Sequence, residues 1–195
     1  MITIRKYRKE DELGWVRCRT LALLETTRYD EVLPKKPHYP NPSVQVVADH
    51  GGHIVGVLDI EYDTPEYRIS FREHSAGGII RTLAVLPEYQ REKVAFHLMK
   101  YACDLLRQEN VGHLEIWNRL EDKSACAFLE AQGFVNTYSY LHFYAENMNC
   151  RHYAPCRMLD CFVMKVYGEY TGSTPDAVRE TADRAYECAL FEKEI

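Results

Sequence analysis

The chain has no surplus of positive charge: its 195 residues carry 24 Lys+Arg against 29 Asp+Glu, a formal net charge of −5 with His neutral. That shortage argues against a protein that coats nucleic acid or lies on a membrane, since both need basic excess to hold phosphates or anionic lipid. Long apolar runs are missing too. The longest, such as Ile79–Ile80 and Leu83–Leu86, fall far short of the ~20 residues of a membrane span. No stretch is rich in Gly or Ser, no segment repeats and no low-complexity tract appears, so neither a flexible interdomain linker nor a solenoid is indicated. Met1–Lys6 lacks an apolar leader core and reads as the start of a strand, which makes the cytoplasm the expected compartment.

Cysteine is present, but without the spacing that would give it a framework role. Seven cysteines (Cys18, Cys103, Cys126, Cys150, Cys156, Cys161 and Cys188) are an odd number, and in a chain with no export signal they are expected to be reduced, packed thiols. Cys150, His152, Cys156 and Cys161 cluster in sequence. A zinc knuckle, however, wants cysteines two to four residues apart, and Cys150 and Cys156 are too distant. No metal is expected, and a metal-sensing module is the weakest reading.

What is there is ordinary globular material, 46% hydrophobic and 27% charged, enough to bury the core of about one domain. Residues 2–7 read as a strand, and Lys9–Glu12 open a helix with Leu13, Val16, Cys18, Leu21 and Leu24 as its apolar stripe. Residues 28–42 hold Pro34, Pro37, Pro40 and Pro42 and must be irregular. Strands at 43–50 and 53–62 flank Gly51-Gly52, a strong hairpin turn signal. A short strand is expected at 67–71. The run from Gly77 to Leu86 suits a central strand buried on both faces. Residues 93–108 form an amphipathic helix stopped by Asn110 and Gly112, followed by a strand at 113–118 and a helix at about 122–131 ending at Gly133. Further strands are expected at 134–144 and 158–167, and Thr174-Pro175 begins a C-terminal helix carrying Val178, Ala182, Ala185, Ala189 and Leu190.

The chemistry is concentrated between Leu83 and Phe134. A buried strand running into a helix N-terminus presents free amides and the positive end of the helix dipole, a natural anion site; the turn Gln90-Arg91-Glu92-Lys93-Val94-Ala95 adds two cations beside it. Leu83-Ala84-Val85-Leu86-Pro87-Glu88-Tyr89-Gln90, the helix after it, and Ala127-Phe128-Leu129-Glu130-Ala131-Gln132-Gly133-Phe134 resemble the acetyl-CoA-binding core of the GNAT family of N-acetyltransferases, whose loop pattern is Arg/Gln-x-x-Gly-x-Gly/Ala. The resemblance implies an α/β fold with a mixed, mostly antiparallel sheet, helices on both faces and a splayed parallel pair at the centre. It also implies a domain at 1–167 with a helical extension at 168–195. Leu83, Ala84 and Val85 would pair with pantetheine, and Gln90, Arg91, Glu92, Lys93, Val94, Ala95 and Phe96 would hold the pyrophosphate.

Two positions depart from the family's pattern. Lys93 stands where the first loop glycine belongs, giving up backbone freedom worth about 1 kcal/mol in a left-handed conformation while adding a cation. Leu129 stands where many relatives carry a tyrosine that protonates the departing thiolate. That leaves Tyr138 or, preferred here, Tyr140 as the acid, and Asn118 replaces an asparagine usually found at the next helix start. Amine acetylation also needs a proton acceptor. Gly78–Val85 contains no acid, so the candidates are Glu61, Asp59, Glu115 and His113, of which Glu61 is preferred for its place at a strand end beside a polar loop. Amides near Val85 would steady the oxyanion. His38, Tyr39 and the tyrosines from Tyr138 to Tyr167 are candidate acceptor walls.

These readings imply transfer of an acetyl group from acetyl-CoA, as cosubstrate and without metal, to a small-molecule or peptide primary amine. No nucleic-acid or membrane partner is expected, and the last element is the candidate for a homodimer contact. The rival is a catalytically silent domain of the same fold that binds CoA or a protein partner.

Overall fold

The computed structural model describes residues 1–72 and 75–195. Its strands are β1 (Ile2–Lys6), β2 (Ser43–His50), β3 (His53–Tyr62), β4 (Gly77–Val85), β5 (His113–Arg119), β6 (Val135–Glu146), β7 (Lys165–Tyr170) and β8 (Arg184–Glu194). The helices are α1 (Glu12–Leu23), α2 (Val94–Gln108), α3 (Lys123–Ala131) and α4 (Pro175–Thr181). The strands form a mixed sheet in the order β1-β2-β3-β4-β5-β8-β6-β7, with β4/β5 as its parallel pair. The chain divides into two compact units, the first Met1–Ile116 with 131–135 and 192–195, the second Trp117–Glu130 with Asn136–Phe191.

In the first unit the β2–β3 hairpin turns at Gly51 and Gly52, with φ of 62° and 88°, the left-handed pair that a tight two-residue turn demands and that Gly supplies without a Cβ penalty. Strand β3 is buried along nearly its whole length because both faces are covered. A Cβ placed on Gly56 would meet Val94 and Leu98 of α2, whereas Asp59, of opposite parity, lies beside Trp15 of α1. The buried stripe of α1 is Trp15, Cys18, Arg19 and Ala22. This corrects the expected stripe: Leu13 and Leu24 are 81% and 51% exposed. Trp15 is large enough to set the orientation of the helix, and its face rotates the two leucines into solvent. In α2, Val94, Leu98, Met99, Ala102 and Leu106 are buried, whereas Phe96, expected on the same apolar stripe with Leu105, is 40% exposed at the first turn and Leu105 is half-buried; Asn110 ends the helix region with a φ of 59°. Residues 67–71 form no strand; Asp63 and Glu115 instead collect the backbone amides of Ile69, Ser70, Phe71 and Arg72.

The second unit has a small core of Leu141, Phe143 and Val178, with Tyr153, Val166 and Tyr170 packed on it. Gly133, preceding it in the chain, has a φ of 84° just past α3, as the sequence suggests. The C-terminal helix is the main correction. Only Pro175–Thr181 is helical, and residues 184–194 are a strand, so 168–195 is not a helical extension. Cys188, Ala189, Leu190 and Phe191 are all buried, the continuous apolar run of a strand with neighbours on both sides, here β5 and β6. The expected strand at 158–167 begins only at Lys165.

Candidate active site

The site is built where β4 runs out of partners. Pairing of β4 with β5 covers Gly77, Gly78 and Ile79 against His113, Leu114 and Glu115 and then stops, while pairing with β3 continues to Val85. Leu86 donates its amide to Val55 of β3 at 3.0 Å. Because successive peptide groups of a strand point to opposite sides, the amides and carbonyls of Leu83 and Val85 face the side that β5 has left. Between Asp59 and Ile60 the β3–β4 register shifts, with Arg81 as the extra residue, a bulge of the kind that re-aims side chains next to a site.

Beyond Pro87–Tyr89, a single 3-10 turn, the chain reaches α2 through Arg91 and Lys93, both left-handed at φ of 69° and 60°. Lys93 is the N-cap of α2 and offers no capping side chain. The amide of Gln90 is used by Pro87 and that of His97 by Lys93. Among the described residues, the amides from Arg91 to Phe96 have no backbone acceptor and lie in an exposed loop and first helical turn. Amides without a backbone acceptor at the positive end of a 15-residue helix, with Arg91 and Lys93 beside them, are an arrangement that favours negative charge. The left-handed conformation that a glycine would take freely is adopted here by a lysine.

Five candidate base and acid groups are placed as follows. Glu61 is 3% exposed; its Oε1 accepts the Asn41 amide at 3.0 Å and its Oε2 is gripped by Arg81 through Nε and Nη2, both at 2.8 Å. Asp59, fully buried, receives Lys36 Nζ at 2.5 Å and the Tyr39 hydroxyl at 2.9 Å, both on Oδ2. Burial pushes its carboxyl upward, against the Lys36 charge, and the Trp15 indole lends further support to the anion. Asp59 Oδ1 and Trp15 Nε1 are nonetheless not aligned as a hydrogen bond. His113 and Glu115 are fully buried and form a chain with Ser75, at 2.8 Å from Ser75 Oγ to Nδ1 and 3.2 Å from Nε2 to Oε1. Burial raises the Glu115 carboxyl, but His113 and the amides of Phe71 and Arg72 outweigh it and the net direction is down. That chain anchors the segment before β4.

Tyr140 belongs to the second unit. Its hydroxyl meets His142 Nε2 at 2.6 Å and Glu169 at 3.3 Å, and Tyr167 reaches the same His142 nitrogen at 2.8 Å. Burial raises the Tyr140 hydroxyl, with Cys188 and Glu169 adding to the effect, which is the wrong direction for an easy proton donor. Asn118, in the same unit, spends its amide on the Arg119 carbonyl at 2.9 Å and on Cys126 at 3.3 Å, tying β5 to α3. Leu129 is 2% exposed and is core. Of the residues expected to hold the cosubstrate, Leu83, Val85 and Arg91–Phe96 keep amides turned away from β3 or without a backbone acceptor, whereas the Ala84 amide is turned to β3 and the Gln90 amide is spent on Pro87, which removes those two amides from the set. The residue that sequence reasoning passed over is Lys36. A lysine in a proline-rich loop carries every local sign of a surface residue, and only the rings of Tyr7, Trp15 and Tyr39 together with the Asp59 carboxylate of β3 make it a buried one. Cys156 and Cys161 are exposed, whereas Cys150 is buried, and among the described residues no three His, Cys, Asp or Glu side chains gather as a metal site.

A profile of the acetyltransferase (GNAT) family matches residues 11–134, which contain this loop and the strand before it. The chain belongs to the GNAT acetyltransferase family. Solved structures of the same fold include a GNAT-family acetyltransferase from Streptococcus pneumoniae (13% identity, TM-score 0.63, covering 100% of both chains). A ribosomal-protein-alanine N-acetyltransferase from Brucella melitensis is similar as well (12% identity, TM-score 0.59, covering 99% of both). A third is the PaiA N-acetyltransferase of Thermoplasma acidophilum in complex with coenzyme A (10% identity, TM-score 0.57, covering 100% of this chain and 99% of that one). No curated protein matches the chain. No helix among the described residues is long and apolar enough to cross a membrane.

Proposed function

We propose that this GNAT protein transfers an acetyl group from acetyl-CoA directly to a primary amine. The observation that carries the reading is the unpartnered run of amides from Arg91 to Phe96, continuous in sequence with the open edge at Leu83 and Val85. The pyrophosphate would sit on the former and pantetheine would extend β4 on the latter, as an added strand. The amide of Val85 would then stabilise the oxyanion formed when the amine attacks the thioester carbonyl. The amine must arrive neutral, so a carboxylate of β3 takes its proton. Both oxygens of Glu61 are committed to Arg81 and Asn41, while Asp59 keeps Oδ1 without a hydrogen bond and has a carboxyl raised by burial. We therefore assign the proton to Asp59 in preference to Glu61. The departing thiolate takes up a proton from water, since Leu129 cannot supply one.

Calorimetry with acetyl-CoA followed by thiol release over a panel of amines tests this. Binding with turnover supports the enzyme; binding with none identifies the silent domain instead; absence of both removes the reading. Ala95→Trp places an indole on the amide row and is expected to weaken acetyl-CoA at least about tenfold, a loss of about 1.4 kcal/mol. Affinity unchanged in that variant would show that the phosphates lie elsewhere. Asp59→Asn is expected to lower kcat by about 10²-fold or more and Glu61→Gln to lower it much less, with acetyl-CoA affinity retained in both.

A further inference from the structure

Lys36 sits where a lysine is seldom found. Its ammonium lies 5.0 Å from the ring centroid of Tyr7, 5.0 Å from that of Trp15 and 4.9 Å from that of Tyr39. The Asp59 carboxylate is 2.5 Å away, and the two side chains are only 5% and 0% exposed. Three aromatic faces and one carboxylate converging on a single cation make the arrangement by which proteins recognise ammonium groups. Stability alone does not account for it, because a buried ion pair recovers little beyond its own desolvation. The segment that brings Lys36 there is not woven into the sheet. Prolines at 34, 37, 40 and 42 withhold amides from any ladder, and the Lys36 and Asn41 amides are held by the side chains of Glu12 and Glu61. The cage also adjoins β4: Asp59 is opposite Thr82, Tyr39 is hydrogen-bonded to Asp59, and Leu83 follows Thr82 directly.

We propose that the cage of Tyr7, Trp15, Tyr39 and Asp59 is an ammonium subsite for the acceptor, plugged in this structure by the chain's own Lys36, which a flexible alkylammonium displaces. The acceptor class is then an unbranched primary alkylamine or a lysine-like side chain, and the loop carrying Lys36 is an internal competitor. This rests on the acetyl-transfer reading for its role, but not for its binding chemistry.

The test uses n-butylammonium as probe and n-butanol as its uncharged counterpart. Lys36→Ala leaves Asp59 buried without its partner and is expected to lower the thermal midpoint by roughly 6–20 °C. Millimolar n-butylammonium restores most of that loss, n-butanol does not, and in Lys36→Ala with Asp59→Asn the difference between the two probes disappears. Equal effects of the two probes, or none, overturn the proposal. Should Lys36→Ala not fold, the wild-type protein supplies the answer. n-Butylammonium, and not n-butanol, is expected to raise the rate of deuterium labelling of the backbone amides in the Lys36 loop, residues 35–41, read by peptide mass mapping. A labelling rate indifferent to the probe overturns it equally. Acetyl-CoA binding, measured separately on the same samples, fails if the acetyl-transfer reading is wrong, whatever n-butylammonium does to the cage.

Discussion

Lys93 holds a left-handed backbone at the first turn of α2, and its cost and its use can be separated. A side chain in that conformation is disfavoured by about 1 kcal/mol relative to glycine, yet the same residue puts a cation beside amides that have no backbone acceptor, where the proposed pyrophosphate would sit. Lys93→Gly is accordingly expected to raise stability by about 0.5–1 kcal/mol while flattening the salt dependence of acetyl-CoA binding. Thermal melts and titrations at low and high ionic strength read the two effects independently. The strand, turn and helix start around residues 83–96 were legible because they depend on apolar periodicity and turn residues close together in the chain. The surroundings of Glu61 were not. Its choice as base assumed an accessible strand end, and the bulge at Arg81 brings a guanidinium onto it across the strand. Nothing local to either residue encodes that pairing.

At the scale of elements, the hairpin at Gly51–Gly52, α2 and the buried run of β4 followed from turn chemistry and periodicity. The last element did not. Arg184–Glu194 carries alanines and no valine, isoleucine or threonine, a composition that favours helix in isolation, yet it lies between β5 and β6. Two neighbours offering ladder hydrogen bonds outweigh a propensity difference of a few tenths of a kcal/mol per residue. Ala189 is fully buried in this strand, so Ala189→Pro should remove a ladder donor and cost about 3 kcal/mol or more, with the loss seen in urea unfolding. If the segment were an exposed helix on the surface, the same substitution would leave β6 and β7 protected in hydrogen exchange; as a central strand it exposes them. The shift of the α1 stripe from Leu13 and Leu24 to Trp15 and Ala22 has the same origin, since several helical faces were nearly equal in the sequence and the bulkiest side chain chose among them.

For the whole molecule, acid stability follows from carboxylates that the fold holds ionised. The Arg5 hydrogen bond keeps the Asp11 and Asp49 carboxyls below their ordinary range. Burial raises Asp63, but the amides of Ile69, Ser70 and Gly77 and the Ser70 hydroxyl outweigh it and its net direction is down; Glu115 is lowered in the same manner. A depressed folded pKa contributes stability that is present above the unfolded value and lost as pH falls through the folded one. Asp59 has the opposite sign: its raised carboxyl contributes stability below the unfolded value that is lost as pH rises through the folded one. The four depressed carboxyls, Asp11, Asp49, Asp63 and Glu115, are expected to make urea midpoints climb from about pH 3 to about pH 5–6, and Asp63→Asn should make that climb shallower. By itself the sequence determined the family, the strand–loop–helix that offers free amides, and most element positions, because these depend on residues near one another in the chain. The tertiary structure alone decided which carboxylate is committed, that the final segment is a strand, and that Lys36 lies among aromatic rings, because each depends on partners supplied by distant segments.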